Sequence, residues 1–142
     1  MATKLVCYLN FDGNTAEAFR YYQSVFGGEL QIATFADFGM ANQPADGTMH
    51  AELVCEQFTL MASDAMPGAE KTWNGTRIYL AFMSDEEKLL TGWFDKLAAD
   101  GEVSQPLAKQ VWGDTYGQVK DKFGLEWMFN ISQPGGWSQQ PD

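Results

Sequence analysis

The chain has 142 residues, of which 45% are hydrophobic and 14% aromatic, and its formal net charge is −10. This length fits one globular domain with a substantial core, and the composition excludes a disordered chain. The acidic balance and the lack of any run of Lys and Arg argue against nucleic acid or an anionic membrane as a partner.

The cysteines and the hydropathy pattern predict the compartment. Cys7 and Cys55 lie in separate strand-like segments without the spacing of a metal site, which favours reduced thiols. No signal peptide is recognisable, and neither is a run of about 20 apolar residues, the length that spans a bilayer. We therefore expect a cytoplasmic protein with no membrane partner.

The first half begins with a strand, a helix and a glycine pair. Residues 5–11 (LVCYLNF) alternate with a period of two, which is typical of a strand with two distinct faces. Asn14 and Glu17 have the spacing of a capping box at a helix start. Gly27 and Gly28 end the helix, because glycine readily adopts the left-handed conformation. The apolar residues between these signals share one helical face: Ala18, Phe19, Tyr22, Val25 and Phe26.

Three further strands are predicted before the midpoint of the chain. They cover 30–35, 48–56 and 58–63, and a loop at 37–47 that is rich in Gly, Pro, Asn and Asp separates the first two. Asp64 follows the third strand and is expected to form a turn by bonding its own backbone. A connector with turn residues at both ends, 64–75, leads to the second half.

The second half repeats this pattern. Its predicted elements are a strand at 77–83, a helix at 85–100, and strands at 102–111, 115–120 and 125–131. Ser84 and Glu87 have the capping-box spacing, Gly101 ends the helix, and residues 121–124 form a hairpin turn. The two predicted helix starts lie about half a chain length apart, which suggests a duplication.

The repeat predicts the organisation of the fold. A single domain is expected over 1–133, with modules at about 1–68 and 69–133 and a flexible tail at 134–142. The fold class is α+β. Two βαβββ modules should form a curved eight-stranded mixed sheet, a cup with the helices on its outer face.

Four segments are similar to one known family. They are 8–30 (YLNFDGNTAEAFRYYQSVFGGEL), 49–53 (MHAEL), 60–68 (LMASDAMPG) and 112–131 (WGDTYGQVKDKFGLEWMFNI). The chain resembles the vicinal oxygen chelate superfamily, which includes glyoxalase I, bleomycin-resistance proteins and extradiol dioxygenases. More closely, it resembles the PhnB-like branch. The resemblance implies a small-molecule site in the cup and a homodimer.

The resemblance also implies where a metal ion would bind. Metal-dependent relatives place His and Glu ligands on the first strand and on a later strand of each module. The corresponding positions here are Val6, Met61, Tyr79 and Met128. A register shifted by two residues gives Tyr8, Ser63, Arg77 and Asn130. Neither set has the usual ligands, so we predict no metal and no cofactor.

Two groups of residues are candidates for a site. Strand parity and the resemblance place five side chains inside the cup, where they suit a flat organic ligand: Tyr8, Asn10, Met61, Tyr79 and Met128. Trp112 and Tyr116 are further aromatic candidates, whereas Trp127 has the opposite parity and is expected in the core. His50, the only histidine, shares a strand face with Glu52; the two are either a catalytic pair or ordinary strand residues.

Two functions are consistent with these residues. The first is a metal-independent protein that binds a small, partly aromatic molecule in the cup. The alternative is a superfamily enzyme of lyase, isomerase or dioxygenase type, with a rearranged site around His50 and Glu52. The lack of metal-ligating residues at the expected positions favours the binding protein over the enzyme. A homodimer is expected in either case, because an open cup leaves strand edges and apolar surface exposed.

Overall fold

The computed structural model divides into two compact units, Met1–Thr72 and Trp73–Asp142. The residues that the structure describes are 5–40, 44, 46–65 and 79–133. The predicted tail at 134–142, the predicted module boundary at 68/69 and most of the connector lie outside these residues. The single-domain organisation therefore stays a prediction.

The first unit is one helix packed on a four-stranded mixed sheet. Its elements are β1 (Cys7–Phe11), α1 (Thr15–Phe26), β2 (Glu29–Thr34), a short 3-10 helix (Ala36–Phe38), β3 (Thr48–Val54) and β4 (Thr59–Asp64). The strand order is β1-β4-β3-β2, in which β1 runs parallel to β4 and the other neighbours are antiparallel. The predicted apolar face of α1 is buried against β2, β3 and β4.

The second unit has the same topology. Its elements are β5 (Leu80–Ser84), α2 (Glu87–Asp100), β6 (Glu102–Lys109), β7 (Thr115–Lys120) and β8 (Glu126–Ile131). The strand order is β5-β8-β7-β6, and β5 runs parallel to β8. The predicted α+β fold of two βαβββ modules with eight strands is confirmed, and the strands are hydrogen-bonded as two four-stranded mixed sheets. At 12 and 14 residues, neither of the described α-helices reaches the length of a membrane-spanning helix.

The alternation of side chains places one face of each sheet against its helix. In β4 the buried residues on this face include Leu60 and Ala62, and in β8 they include Phe129 and Trp127, of which Trp127 was predicted by its parity. Complete burial of a side chain such as Phe129 contributes about 1.5–3 kcal/mol. The core of each unit therefore fixes which residues lie on the other face of the sheet.

The helix starts differ from the predicted capping boxes. Asn14 occupies the N-cap position of α1, but its side chain caps no N–H among the described residues. The backbone N–H of Thr15 instead donates to Asp64 Oδ1 at 3.1 Å. At α2 the N-cap position is Glu86, whose N–H donates to Ser84 Oγ at 3.0 Å. Both capping-box predictions are wrong, because a distant strand and an earlier residue supply the acceptors.

The prediction that Asp64 forms a turn is also wrong. Asp64 is buried at the end of β4, and its second oxygen, Oδ2, accepts the N–H of Thr48 at 2.9 Å. One carboxylate thus joins the start of α1 to the start of β3. Since the partners are 49 and 16 residues away, no local pattern in the sequence indicated this role.

The predicted glycine stops are confirmed, for two different reasons. Gly27 and Gly28 have φ angles of 76° and 93°, the left-handed region that glycine favours. Gly101 follows α2 in an extended conformation. A Cβ atom at that position would overlap the carbonyl oxygen of Lys120, so the requirement there is for space.

Candidate functional site

The face of the first sheet opposite α1 carries a group of mainly polar side chains, which we call the polar face. It consists of Tyr8, Asn10, His50, Glu52, Met61 and Ser63. Cross-strand pairing brings them to one side of the sheet: Met61 on β4 pairs with Tyr8 on β1 and with Glu52 on β3. Their strand neighbours Leu9, Ala51 and Ala62 are buried on the helix side.

Three residues of the polar face form a connected chain of polar contacts. The hydroxyl of Tyr8 lies 3.0 Å from His50 Nδ1, within hydrogen-bonding distance. On the other side of the ring, His50 Nε2 lies 3.5 Å from Glu52 Oε1. The side chains of His50 and Glu52 are about one-third exposed and Tyr8 is about half exposed, so a ligand can reach them.

Asn10 and Ser63 form a second polar pair on the same face. The Ser63 hydroxyl donates to Asn10 Oδ1 at 3.2 Å, across the β1–β4 pair. Asn10 is exposed, and its position two residues from Tyr8 places it on the same side of β1. The polar face therefore offers hydroxyl, amide, imidazole and carboxylate groups over a few neighbouring positions.

The second sheet carries an apolar pocket on its corresponding face. The pocket has a volume of about 160 Å³ and is lined by Ala81, Phe82, Met83, Trp112, Tyr116, Met128 and Asn130. The rings of Trp112 and Tyr116 meet edge to face, with centroids 5.9 Å apart. Met83, one of the lining residues, is 62% exposed, so its thioether side chain is accessible from solvent.

The two polar residues of the apolar pocket, Asn130 and Tyr116, form hydrogen bonds with neighbouring side chains. Asn130 Nδ2 donates to Oδ2 of the fully buried Asp114 at 3.0 Å, and Asp114 Oδ1 accepts the N–H of Gln133 at 3.2 Å. Gln118 Nε2 donates to the Tyr116 hydroxyl at 2.7 Å. These contacts hold the Asn130 amide and the Tyr116 ring in place, so a ligand meets a largely preformed surface.

The structure distributes the predicted site residues over both units. Tyr8, Asn10, Met61, His50 and Glu52 come together on the polar face. In the second unit, Met128 lines the apolar pocket, while Tyr79 is half-buried immediately before β5.

Sequence reasoning left Met83, Trp112 and Tyr116 out of the predicted ligand-binding set, although all three line the pocket. The parity of β5 is the signal for Met83, since it places this residue on the same face as Ala81. Trp112 lies in the turn between β6 and β7, where no periodicity indicates which way a side chain faces.

The donor groups of the described residues do not fit the metal centre that the wider superfamily suggests. A catalytic metal site typically has about three protein ligands. Among residues 5–40, 44, 46–65 and 79–133, no group of three His, Cys, Asp or Glu side chains is close enough to hold an ion. The polar face supplies two such residues, His50 and Glu52, and none of the residues lining the apolar pocket is of these types.

Comparison with known proteins identifies the same fold and a family. The sequence profile of the Glyoxalase/Bleomycin resistance protein/Dioxygenase superfamily matches residues 5–129. Protein YjdN of Escherichia coli (strain K12) is 32% identical over 137 residues, which cover 87% of this chain and 92% of YjdN.

Solved structures agree with this result. The crystal structure of protein PA1353 from Pseudomonas aeruginosa is 34% identical, with a TM-score of 0.77 over 93% of this chain and 99% of that one. The PhnB protein of Bacillus cereus has a TM-score of 0.72 at 22% identity, covering 92% of this chain and 100% of its own. At that identity the likeness to the Bacillus cereus protein establishes the fold alone.

Proposed function

The chain belongs to the Glyoxalase/Bleomycin resistance protein/Dioxygenase superfamily, and we propose that it is a PhnB-like member that binds a small, partly aromatic molecule without a metal ion. The segments 8–30, 49–53, 60–68 and 112–131 support the PhnB-like assignment, as does the shared fold of the Bacillus cereus PhnB protein. The proposed ligand-binding residues are Tyr8, Asn10, Met61, Tyr79 and Met128, to which we add Met83, Trp112 and Tyr116.

The observation that carries this proposal is the apolar pocket of the second sheet. Small-molecule sites combine an apolar, aromatic lining with a few fixed polar groups, and this pocket has both. Its volume of about 160 Å³ is close to that of protein cavities that hold one benzene ring, about 150 Å³. A single flat ring therefore fits between Trp112, Tyr116 and the methionines.

The lining also indicates the character of the ligand. Aromatic side chains offer stacked or edge-on contacts to a second ring, and thioether sulfur atoms add favourable contacts with ring edges. Met83 and Met128 provide two such sulfur atoms, on neighbouring strands. The formal net charge of −10 disfavours an anionic ligand at low salt, so a neutral or weakly polar ring is expected.

The methionine methyl groups provide a direct test. The chain has seven methionines, and their ¹³C-methyl resonances can be assigned by single Met→Leu substitutions. Titration with single-ring aromatic compounds should shift the Met83 and Met128 resonances together. Met49 alternates with His50 along β3, outside the polar face and the pocket, and serves as the internal reference.

A matched variant makes this test selective. Trp112→Ala should abolish most of the shift at Met83 and Met128, because it removes one wall of the pocket. Trp112 is 41% exposed, so the substitution should cost little stability. Equal shifts at Met49, Met83 and Met128, or no saturable shift with any compound, would contradict ligand binding in the pocket.

The polar face supports a second candidate function. The line from Glu52 through His50 to the Tyr8 hydroxyl is the arrangement in which a carboxylate orients an imidazole that exchanges a proton with a third group. On this alternative the chain is a superfamily enzyme, and His50 and Glu52 are its acid–base pair. Consumption of a small molecule by the purified chain, lost in both His50→Gln and Glu52→Gln, would favour the enzyme.

We also propose a homodimer. Exposed apolar side chains in both units support it, since Leu5 and Val111 are fully exposed and Phe38 and Met83 are more than half exposed. Light scattering at micromolar concentration should give about twice the chain mass of 15.8 kDa, and a value near 15.8 kDa itself contradicts the dimer. The free thiols Cys7 and Cys55 support a reducing compartment such as the cytoplasm.

A further inference from the structure

In the Tyr8–His50–Glu52 contacts, the chemistry of the three groups determines which atom donates a hydrogen and which atom accepts it. A neutral imidazole has one N–H donor and one acceptor nitrogen, and a carboxylate only accepts. Glu52 Oε1 lies beside Nε2, so the imidazole proton is favoured on Nε2 and Nδ1 becomes the acceptor. The Tyr8 hydroxyl, 3.0 Å from Nδ1, must then donate its single proton to His50.

This direction determines what Tyr8 offers to a ligand. A phenol has one proton and two acceptor positions, so a Tyr8 hydroxyl that donates to His50 can only accept from a further group. Tyr8 is 49% exposed, and a ligand on the polar face can therefore reach its hydroxyl oxygen. The Glu52 carboxylate, on the far side of the His50 ring, adds negative charge to the polar face and so disfavours anionic groups there.

We propose that the polar face is a recognition site for a hydroxyl or amine group, which donates its hydrogen to the phenol oxygen of Tyr8. His50 and Glu52 are positioning residues in this site, because they fix the direction of the Tyr8 hydrogen bond. The inference rests on the proposed ligand-binding function, which includes Tyr8, and adds to it the chemical class of the group that Tyr8 recognises.

The direction of the hydrogen bond can be measured without any ligand. His50 is the only histidine, so ¹⁵N-histidine labelling gives one pair of ring nitrogen resonances. At a pH where the ring is neutral, we expect the proton on Nε2 and an acceptor-type shift at Nδ1 that changes in Tyr8→Phe. Glu52→Gln should increase the population with the proton on Nδ1. A proton found mainly on Nδ1 in the wild-type chain overturns the proposal.

Recognition is tested with phenol and anisole, two rings that differ by a methyl group in place of the donor hydrogen. Binding is monitored at the methyl group of Met61, the cross-strand partner of both Tyr8 and Glu52. Phenol should bind about three- to tenfold more tightly than anisole, the range for one net hydrogen bond. Tyr8→Phe should remove this preference, whereas Tyr21→Phe on α1 should retain it.

The outcomes separate this inference from the proposed function. Binding of either compound at Met83 and Met128 but not at Met61 leaves the apolar pocket intact and overturns the Tyr8 site. A phenol preference at Met61 that persists unchanged in Tyr8→Phe also overturns it. Loss of shifts at Met83 and Met128, with a retained preference at Met61, contradicts the pocket and supports the Tyr8 site.

Discussion

The two units share a topology and differ in the surface that each sheet presents opposite its helix. In the first unit this surface carries the Tyr8–His50–Glu52 contacts and the Asn10–Ser63 pair. In the second unit it carries methionine and aromatic side chains around a pocket of about 160 Å³. The same βαβββ module therefore supports a polar face in one copy and an apolar pocket in the other.

This difference shows where a repeated module can differ between its copies while keeping the same fold. Residues between the helices and the sheets, such as Phe19 on α1 and Phe129 on β8, are buried in both units and hold each sheet to its helix. Residues on the other face are not required for that packing. They are therefore free to provide hydrogen-bonding groups in one unit and a ring-binding surface in the other.

The largest expected effect is a loss of stability when the buried carboxylate that joins distant segments of each unit is removed. Asp64→Ala removes the acceptor of two backbone N–H groups in the first unit and should lower the free energy of unfolding by about 2–6 kcal/mol, since each unsatisfied buried donor costs about 1–3 kcal/mol. In the second unit Asp121 accepts the Trp127 indole N–H at 2.8 Å and two backbone N–H groups. Asp121→Ala should have a similar cost there.

Urea unfolding measures both effects, and the exposed Asp95 on α2 provides the control, because Asp95→Ala should change stability by less than about 0.5 kcal/mol. Separate unfolding of the units would appear as two transitions. Asp64→Ala should then move only one of them and Asp121→Ala the other. A loss below about 1 kcal/mol for Asp64→Ala would show that its two partners find other acceptors.

The sequence predicted the scaffold well because its signals are local. Strand alternation, the apolar helix faces and the glycine stops each depend on neighbouring residues, and the strands and helices followed within a few positions. The roles of Asp64 and Asp114 could not be predicted in this way. Each carboxylate binds groups at least 16 residues away, which only the folded chain brings into contact.

The candidate site was also predicted only in part, because some of its features have local signals in the sequence and others depend on contacts between distant strands. Parity indicated that Tyr8 and Met128 face away from the helices, and the spacing of His50 and Glu52 indicated a shared face. The contact between Tyr8 and His50 joins β1 to β3, which are separated by β4 in the sheet, and no spacing in the sequence predicts it. Trp112 was left out of the predicted ligand-binding set because it lies in a turn, where no periodicity indicates the direction of a side chain.

The second prediction asks whether one face or both contribute to binding of a flat aromatic compound. Tyr8→Ala and Tyr79→Ala should each weaken binding by about 1–3 kcal/mol, the range for losing one stacking surface. Tyr8 is about half exposed and Tyr79 is half-buried, so the folded state should be largely retained. Isothermal titration with the best single-ring compound gives the affinities, and circular dichroism verifies the fold.

Which of the two variants loses binding affinity shows which unit contributes to binding. A loss in both variants assigns binding to both units, and a loss in Tyr79→Ala alone restricts it to the second. Tyr21→Phe on α1 is the control and should bind as the wild-type chain does. Unchanged affinity in both Tyr→Ala variants would contradict the assignment of these tyrosines to the site.

The third prediction compares two thiols within the first unit. Cys7 is exposed on β1, whereas Cys55 is buried after β3, and burial raises the pKa of the Cys55 thiol. A raised pKa lowers the thiolate fraction at every pH below it, so Cys55 should react several-fold more slowly with iodoacetamide than Cys7. The Cys55 rate should rise as the pH increases. Mass spectrometry of Cys7→Ser and Cys55→Ser variants gives the two rates, and equal rates would show that the β3–β4 turn opens readily.

The smallest expected effect is that of removing metal ions. The polar face has two side chains of the usual ligand types, His50 and Glu52, and the apolar pocket has none, so neither surface supplies the three ligands of a typical catalytic site. Protein purified without added ions should contain well under one divalent metal per chain by elemental analysis. Treatment with EDTA should leave the unfolding midpoint and the binding of aromatic compounds unchanged.

A content of about one Zn, Ni, Mn or Fe per chain, lost in His50→Ala but retained in Met83→Ala, would contradict the prediction of a metal-free chain. It would also make the polar face a metal centre and favour the enzyme over the binding protein.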